Sequence, residues 1–379
     1  MRENPFRFGE AIRGEYFANR KEEIRRLSLD LYSGQNVILY SPRRYGKTSL
    51  VLEVLDRLRK KDCLCVYIDL FPVSSKMKFA RIVASALAKG TSRKVEEIGR
   101  VIREFLPSLI PKITFKGSKG WPDFDLEFGE RKMDIDKLLS DLYDAPERIA
   151  KKRNKRVVVA FDEFQEIFNI NGEEIEKEMR SKIQHHQDVA YVFLGSKRHM
   201  IERIFNDQSR PFYKIGKFFP LEKIPRDDFV KFIVKRFKHT GFSIPSNMAE
   251  RIVEITDSHP YYTQILCYEV WNECLKGGRI SETLVDKGLE GVLLDHSYAF
   301  TSLWDSLPSK QKNLLIALVF EENPSLHSQF LIEKYDLGSP ATVSKSLKTL
   351  EIKGILERES HKPVFSDFFF KEWVRRRIG

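Results

Sequence analysis

Apolar runs separated by helical patterns dominate the first two-thirds of this chain. The runs are nearly continuous rather than alternating, which is typical of strands covered on both faces of a parallel sheet. Strands are predicted at residues 36–40, 63–70, 156–161, 189–194 and 217–221. Apolar residues at helical spacing predict helices between these strands. The pattern therefore predicts an α/β fold, with helices on both faces of a parallel sheet.

One stretch interrupts this rhythm of strands and helices. Residues 113–116 and 123–128 alternate strictly between apolar and polar, with glycine and proline between them. This predicts a β-hairpin with one face in water, inserted near residues 112–129 at the edge of the core.

From residue 226 onward the pattern becomes helical. Helices are predicted at residues 229–237, 246–257, 261–275 and 282–295, and shorter ones at 310–320, 326–335 and 340–352. Two short strands follow, at residues 355–358 and 363–367, and three helices with such a hairpin predict a winged helix-turn-helix. The predicted domains are a core at 1–224, a small helical lid at 225–302 and the winged helix at 303–379.

The loop after the first strand carries the chemistry around which the chain is organised. It consists of Ser41, Pro42, Arg43, Arg44, Tyr45, Gly46, Lys47, Thr48 and Ser49. Strand, tight loop and helix form the context of a phosphate-binding P-loop, and G-x-x-x-x-G-K-[ST] is met except that Ser41 replaces the first glycine. Lys47 is expected on the β- and γ-phosphates of ATP, or on the β-phosphate of ADP, and Thr48 on Mg²⁺. Ser41 raises the question of whether that position needs a glycine-like backbone angle.

A second motif ends the strand at residues 156–161. Asp162 and Glu163 follow four apolar residues, as in the Walker B pattern. Asp162 is expected to hold the water shell of Mg²⁺, and Glu163 to orient and deprotonate the attacking water. The alternative for Asp162 is a helix cap, where aspartate is also favoured.

Further candidates lie where other predicted strands end or begin. Ser196 follows the strand at 189–194 and is expected near the γ-phosphate, because ligands lie at the carboxyl ends of parallel strands. Arg198 and Arg210 could stabilise transition-state charge, one within the chain and one from a neighbouring subunit, or could be surface residues. The segment with Asn19 and Arg20 is predicted to wrap over the nucleotide base, or else to cap the sheet.

Composition narrows the class of protein. The net charge is 65 − 54 = +11, and residues 1–100 hold 21 Lys and Arg against 12 Asp and Glu, so the excess lies partly near the predicted nucleotide site. It could meet phosphates of nucleotide or nucleic acid, or form a solvated surface. No run approaches the roughly 20 apolar residues of a membrane span, and no apolar signal segment opens the sequence. Four cysteines without metal-site spacing predict buried free thiols, so we expect a cytoplasmic protein with no membrane partner.

The chain resembles the archaeal ATPases of the AAA+ superfamily, in the STAND branch close to the origin-recognition ATPases. The resemblance is carried by residues 17–20, 42–49, 161–166, 195–196 and 259–262. It implies a five-stranded sheet, a helical lid and a C-terminal winged helix, with ATP and Mg²⁺ as ligands.

The resemblance also implies roles for single residues. Lys47 and Thr48 match Walker A, Asp162 and Glu163 match Walker B, and Ser196 matches sensor 1. Pro260 matches the proline of the G-x-P motif on the adenine side, and Ser258 stands where that motif has glycine. With no arginine assigned in trans, we expect slow hydrolysis, as in a switch.

Two functions stay open at this stage. The first is an ATP-driven switch that changes self-association or contacts with a protein partner. The second is a DNA-binding protein that acts through residues 303–379 and is regulated by nucleotide. A P-loop kinase for a small molecule is disfavoured, because neither lid nor winged helix offers a substrate pocket.

Overall fold

The computed structural model describes residues 2–18, 20–92, 94–107, 111–116, 123–128, 134–277, 279–322, 324–359 and 362–378, with the backbone alone at 95, 111–116, 123–128 and 359. The chain forms two compact units. One is Glu10–Ile224, and the other joins the residues up to Gly9 with Pro225–Gly379. The separate boundaries predicted for a lid and a winged helix stay predictions.

The first unit contains the strands and helices of a doubly covered sheet. Its strands are β1 (Val37–Tyr40), β2 (Leu64–Asp69), β3 (Pro111–Lys116), β4 (Asp123–Phe128), β5 (Val157–Asp162), β6 (Val189–Gly195) and β7 (Lys217–Pro220). Its helices are α1 (Lys21–Tyr32), α2 (Lys47–Arg59), α3 (Lys76–Thr91), α4 (Val95–Phe105), α5 (Ile135–Arg153), α6 (Gly172–Ile183) and α7 (Arg198–Phe205). Short 3₁₀ helices lie at Gly14–Tyr16 and Phe164–Ile170.

Five of these strands form one parallel sheet in the order β2-β5-β6-β1-β7. Successive residues of β5 enter different cores, because side chains of a strand alternate between its faces. Val157 and Val159 pack with α3–α6, whereas Val158 and Ala160 pack with α1 and α2. The prediction of a parallel sheet with helices on both faces is confirmed.

The topology brings the carboxyl ends of β1, β5 and β6 to one edge. Tyr40 of β1 lies beside Gly195 of β6, and β6 lies beside β5, which ends at Asp162. The loop after β1 and the residues that follow β5 and β6 therefore meet at this edge, where the fold places its candidate chemistry.

Two parts of the first unit can be compared with the sequence in more detail. Strands β3 and β4 pair antiparallel with each other. Helix α5, before β5, extends through Arg153, so most of the basic run at 151–156 belongs to its last turn and its cap. Asn154 ends the helix with φ of 50°, a conformation that asparagine tolerates better than most residues.

The second unit is helical with one small sheet. Its helices are α8 (Arg226–His239), α9 (Ser246–Ile255), α10 (Pro260–Leu275), α11 (Glu282–Asp295), α12 (Ser297–Asp305), α13 (Ser309–Phe320), α14 (Gln329–Lys334), α15 (Pro340–Ile352) and α16 (Phe368–Ile378). Strands β8 (Leu356–Glu359) and β9 (Lys362–Phe365) pair antiparallel. Helices α13–α15 and this pair form the predicted winged helix, which is confirmed, whereas α12 and α16 are additional helices.

The four cysteines are free and buried, as predicted. Burial raises the pKa of Cys65 to about 12 and that of Cys274 to about 11. Among the helices that the structure describes, none is both long and apolar enough to cross a lipid bilayer.

Candidate nucleotide site

The loop between β1 and α2 changes direction through left-handed backbone at two residues. Arg44 has φ of 66° and Gly46 has φ of 86°. Ser41 is not among the described residues with positive φ, so its Cβ costs nothing there and the loop does not need a glycine at its start. Gly46 is the N-cap of α2, and the helix begins at Lys47 with its free amides facing the loop.

Lys47 points back into the concave side of the loop. Its Nζ donates to the carbonyl oxygens of Ser41 and Pro42, each at 3.0 Å. The side chain is almost fully buried, at 6% exposure. The ammonium group is therefore held at the mouth of the loop, where a phosphate on the loop amides would meet it.

Two side chains, those of Arg20 and Ser49, hold this loop from behind. The buried guanidinium of Arg20 donates to the carbonyl oxygens of Tyr45 and Glu222, at 3.2 and 2.7 Å. The hydroxyl of Ser49 accepts the amide of Ile12 at 2.9 Å. Arg20 and Ser49 thus tie the loop to the segments before α1 and after β7.

Asp162 links the loop helix to the middle of the sheet. Its Oδ2 accepts the hydroxyl of Thr48 at 2.6 Å, and its Oδ1 accepts the amide of Glu163 at 2.9 Å. The carboxylate is 3% exposed. The structure therefore brings the two residues predicted to face Mg²⁺ into one partly buried contact.

Glu163 follows in the left-handed region, with φ of 50°. This turn ends β5 and directs the second carboxylate toward the end of β6, where Ser196 donates to its Oε2 at 2.7 Å. The side-chain amide of Gln165 donates to the same oxygen. Glu163 is thus oriented by two side chains, at the place where a general base would act on water.

Two hydrogen-bond partners of the acidic pair Asp162 and Glu163 were not predicted from the sequence. The hydroxyl of Tyr67 on β2 donates to Oδ2 of Asp162 at 2.7 Å, and Gln165 contacts Glu163. Burial, and then the charge of Asp162, raise the pKa of Tyr67, so its hydroxyl keeps its proton and acts as donor. A tyrosine two residues before the end of a strand was the available signal, but apolar strands often contain tyrosine.

The two candidate arginines have different surroundings. The guanidinium of Arg198 lies 5.8 Å from the ring centre of Tyr40, the residue before the loop, and pairs with Glu202 at 2.8 Å. Arg210 is buried against Glu176, with Glu173 at 3.7 Å and the ring of Phe168 below it. Arg198 is brought to the edge of the site, whereas Arg210 has carboxylate partners inside its own unit.

The remaining predicted residues are placed as follows. Arg43 and Arg44 are exposed on the loop, and Pro42 is half-buried. Pro260 is the first residue of α10, in the second unit. Asn19 lies outside the described residues, so its predicted contact with the base stays a prediction.

Two oxygen atoms at the centre of the site are suitable ligands for a hard divalent cation. The hydroxyl of Thr48 and the carboxylate of Asp162 are both oxygen ligands, which Mg²⁺ prefers. Protein sites for this ion usually supply one or two carboxylates and leave the rest to water and substrate phosphates. The donor set of this chain therefore fits Mg²⁺.

Comparison with known families gives two matches. Residues 17–266 match the family described as an ATPase domain predominantly from Archaea. Residues 298–376 match a probable winged helix domain. Nothing among curated proteins matches the chain.

Solved structures similar to this chain span almost its whole length. A Walker-type ATPase of Pyrococcus abyssi is 19% identical, with 98% of this chain and 99% of that one covered and a TM-score of 0.64. The ORC2 protein of Aeropyrum pernix, in ADPNP–ADP complexes, is 14% identical over 98% and 99%, with a TM-score of 0.56. The ORC1 protein of the same organism, in complex with DNA, is 14% identical over 96% and 94%, with a TM-score of 0.51. At these identities the likeness shows a shared fold.

Proposed function

Since the chain belongs to the family of ATPase domains found predominantly in Archaea, we propose that it is a slow, Mg²⁺-dependent ATPase that works as a nucleotide-dependent switch. The substrate is ATP, and the products are ADP and phosphate. The nucleotide bound at the loop would set which assembly or partner contact the protein makes.

One observation carries this proposal: the hydrogen bond of 2.6 Å between Thr48 and Asp162. It joins the loop that would hold phosphates to the strand that ends in two carboxylates. A P-loop and an acidic pair on distant surfaces would have removed the basis for hydrolysis. Their direct contact supports a single site.

The side chains can then be given separate tasks. Lys47 would bind the β- and γ-phosphates, and Thr48 and Asp162 would hold Mg²⁺, which supplies charge neutralisation on the phosphate oxygens. Glu163 would take a proton from the attacking water as its oxygen bonds to the γ-phosphorus. The bond from that phosphorus to the bridging oxygen breaks, and ADP leaves with the electron pair. Ser196 and Gln165 keep the Glu163 carboxylate in position.

Two substitutions separate binding from turnover. Lys47→Ala should weaken ATP affinity about 10-fold to 100-fold, because a charge-assisted hydrogen bond contributes about 1.5–3 kcal/mol. Glu163→Gln should keep affinity and lower turnover about 100-fold or more, since it removes only the base. Fluorescent-nucleotide titration and phosphate release measure the two effects.

A matched control lies just beyond the other end of the same helix. Lys60→Ala removes an exposed lysine just after the far end of α2 and should leave both quantities unchanged. Equal ATP affinity in the wild type and in Lys47→Ala would refute the site. Unchanged turnover in Glu163→Gln would refute the assigned base.

A second candidate function, nucleotide-regulated DNA binding, is favoured by the surface of α15. Its apolar face is buried, and Ser344, Lys345 and Lys348 are exposed on the other side. Helix α15 follows the short helix α14 and precedes the wing, which is the position of a recognition helix. Lys345 and Lys348 would contact phosphates or base edges of a major groove.

A further inference from the structure

The hydroxyl of the half-buried Tyr67 contacts the acidic pair of the site but has no assigned task. It extends from β2 to the neighbouring strand β5 and donates to Oδ2 of Asp162 at 2.7 Å. That oxygen also accepts the hydroxyl of Thr48 at 2.6 Å. Two hydroxyls from different elements thus share one carboxylate oxygen.

The remaining oxygen of Asp162 is only partly used. Oδ1 accepts the amide of Glu163 at 2.9 Å, so three donors are engaged. A carboxylate offers about four lone-pair directions. The three donors fix the plane of the carboxylate and leave about one direction on Oδ1 for a ligand. Without Tyr67, Asp162 would be held on Oδ2 by Thr48 alone, a residue that must itself face the cation.

We propose that Tyr67 is a positioning residue, which orients the carboxylate of Asp162 toward the divalent cation of the nucleotide complex. The inference rests on the proposed function, because it concerns the same site. Tyr67 would touch neither nucleotide nor cation, and it would act through Asp162. This makes β2, a strand without any recognised motif, part of the cation site.

A purely structural role is the alternative, since most hydroxyls that are removed from water have a hydrogen-bond partner. The two roles differ in what they predict for Tyr67→Phe, which keeps the ring. A structural hydroxyl would change only the free energy of unfolding. A positioning hydroxyl would change cation affinity, because outer partners of metal ligands typically contribute about 10-fold to 100-fold to affinity.

The test is a titration of the full chain with Mn²⁺ in the presence of saturating ADP, followed by electron paramagnetic resonance. Tyr67→Phe should raise the dissociation constant for Mn²⁺ about 10-fold, while ADP affinity in EDTA stays within a factor of two. In an Asp162→Asn background, the effect of Tyr67→Phe should disappear, because the residue acts through that carboxylate.

Tyr143→Phe is the matched control. Tyr143 lies in the same unit and is 5% exposed, and its hydroxyl has no hydrogen-bond partner among the residues that the structure describes. Its loss should leave Mn²⁺ affinity unchanged. Equal Mn²⁺ affinity in the wild type and Tyr67→Phe would overturn the inference alone. A Tyr67→Phe variant that does not fold without metal would overturn it too, since the hydroxyl would then serve the fold. Wild-type protein without cation-dependent nucleotide binding would overturn both this inference and the proposed function.

Discussion

Glu163 shows how one backbone angle shapes the chemistry of this site. Its φ of 50° is unusual for a glutamate and costs about 1–2 kcal/mol. In return, two consecutive carboxylates serve different neighbours: Asp162 meets Thr48, and Glu163 meets Ser196. A regular strand would have sent them to opposite faces of the sheet. Strain at such a position is typical of functional sites.

Arg210 and Glu176 form a buried ion pair whose energetics can be tested directly. Arg210→Met should lower the free energy of unfolding by about 3–5 kcal/mol, because Glu176 is left as an unpaired buried charge. The double variant Arg210→Met with Glu176→Met should recover most of this loss. Urea unfolding measures both values.

The pKa of Glu176 supports this expectation. Burial raises it, although Arg210 opposes the shift. A carboxyl with a raised pKa favours the folded state at low pH and loses that contribution as pH rises through its folded pKa. At neutral pH, replacing both Arg210 and Glu176 by apolar side chains should therefore change the free energy of unfolding only slightly.

Arg198→Met is the control for this pair, since it removes an exposed ion pair and should change stability by less than about 1 kcal/mol. A double variant no more stable than Arg210→Met would contradict the account. The double variant also tests the predicted arginine finger. Full hydrolysis in that stable protein would rule Arg210 out as a finger, and its loss would support the role.

Single side chains were predictable here only where a motif fixes them. Lys47, Thr48 and Asp162 were expected together, and the structure brings Thr48 and Asp162 into contact. Tyr67 and Gln165 were not expected. The partner of Tyr67 is Asp162 on the neighbouring strand β5, and the partner of Gln165 is Glu163, two positions before it. The contact of Tyr67 depends on strand order and register, which local patterns do not contain, whereas that of Gln165 follows the left-handed turn at Glu163.

Among helices and strands, most segments with a clear period were predictable, and several others were missed. Helix α15 begins and ends at the residues that the sequence predicts, with proline at its first position and Ser339 as its cap. The 3₁₀ helix at Phe164–Ile170 was missed, because it follows the left-handed turn at Glu163 and lacks the period of an α-helix. Helices α12 and α16 were also missed.

Helix α15 is also where the DNA candidate can be tested. Replacing Lys345 and Lys348 by alanine should weaken duplex binding and reduce the slope of log affinity against log salt by about 2, because two phosphate contacts are lost. Fluorescence anisotropy at several salt concentrations measures this slope.

The control is a second pair of exposed lysines, Lys231 and Lys235 on α8, whose replacement removes the same charge. An equal loss of affinity in both double variants would point to general charge attraction and would contradict a role for α15. Unchanged binding after deletion of residues 303–379 would also end the DNA candidate.

For the protein as a whole, the order of motifs predicted the architecture correctly. The parallel sheet, the helices on both its faces and the winged helix are confirmed. What the sequence did not indicate is that the residues before Glu10 belong with the second unit. Phe6 contributes to that unit, packing beside Phe232 and Phe237. No local pattern reveals a partner more than 200 residues away.

The switch is best tested by mass in solution. With a slowly hydrolysed ATP analogue, the wild type should change its average mass relative to the ADP form, because the γ-phosphate would favour one assembly over another. Lys47→Ala should show one mass in both conditions. Identical masses of the wild type with both nucleotides, over a wide range of protein concentration, would contradict nucleotide-dependent self-association.

The four buried thiols make this chain convenient for spectroscopy. Cys63, Cys65, Cys267 and Cys274 are shielded from solvent, and the thiolate of Cys65 is scarce at neutral pH because of its raised pKa. A maleimide dye will therefore react first with any cysteine introduced at an exposed position. Donor and acceptor labels can be installed without first mutating the native cysteines, so distances between the two units can be followed while nucleotide is exchanged.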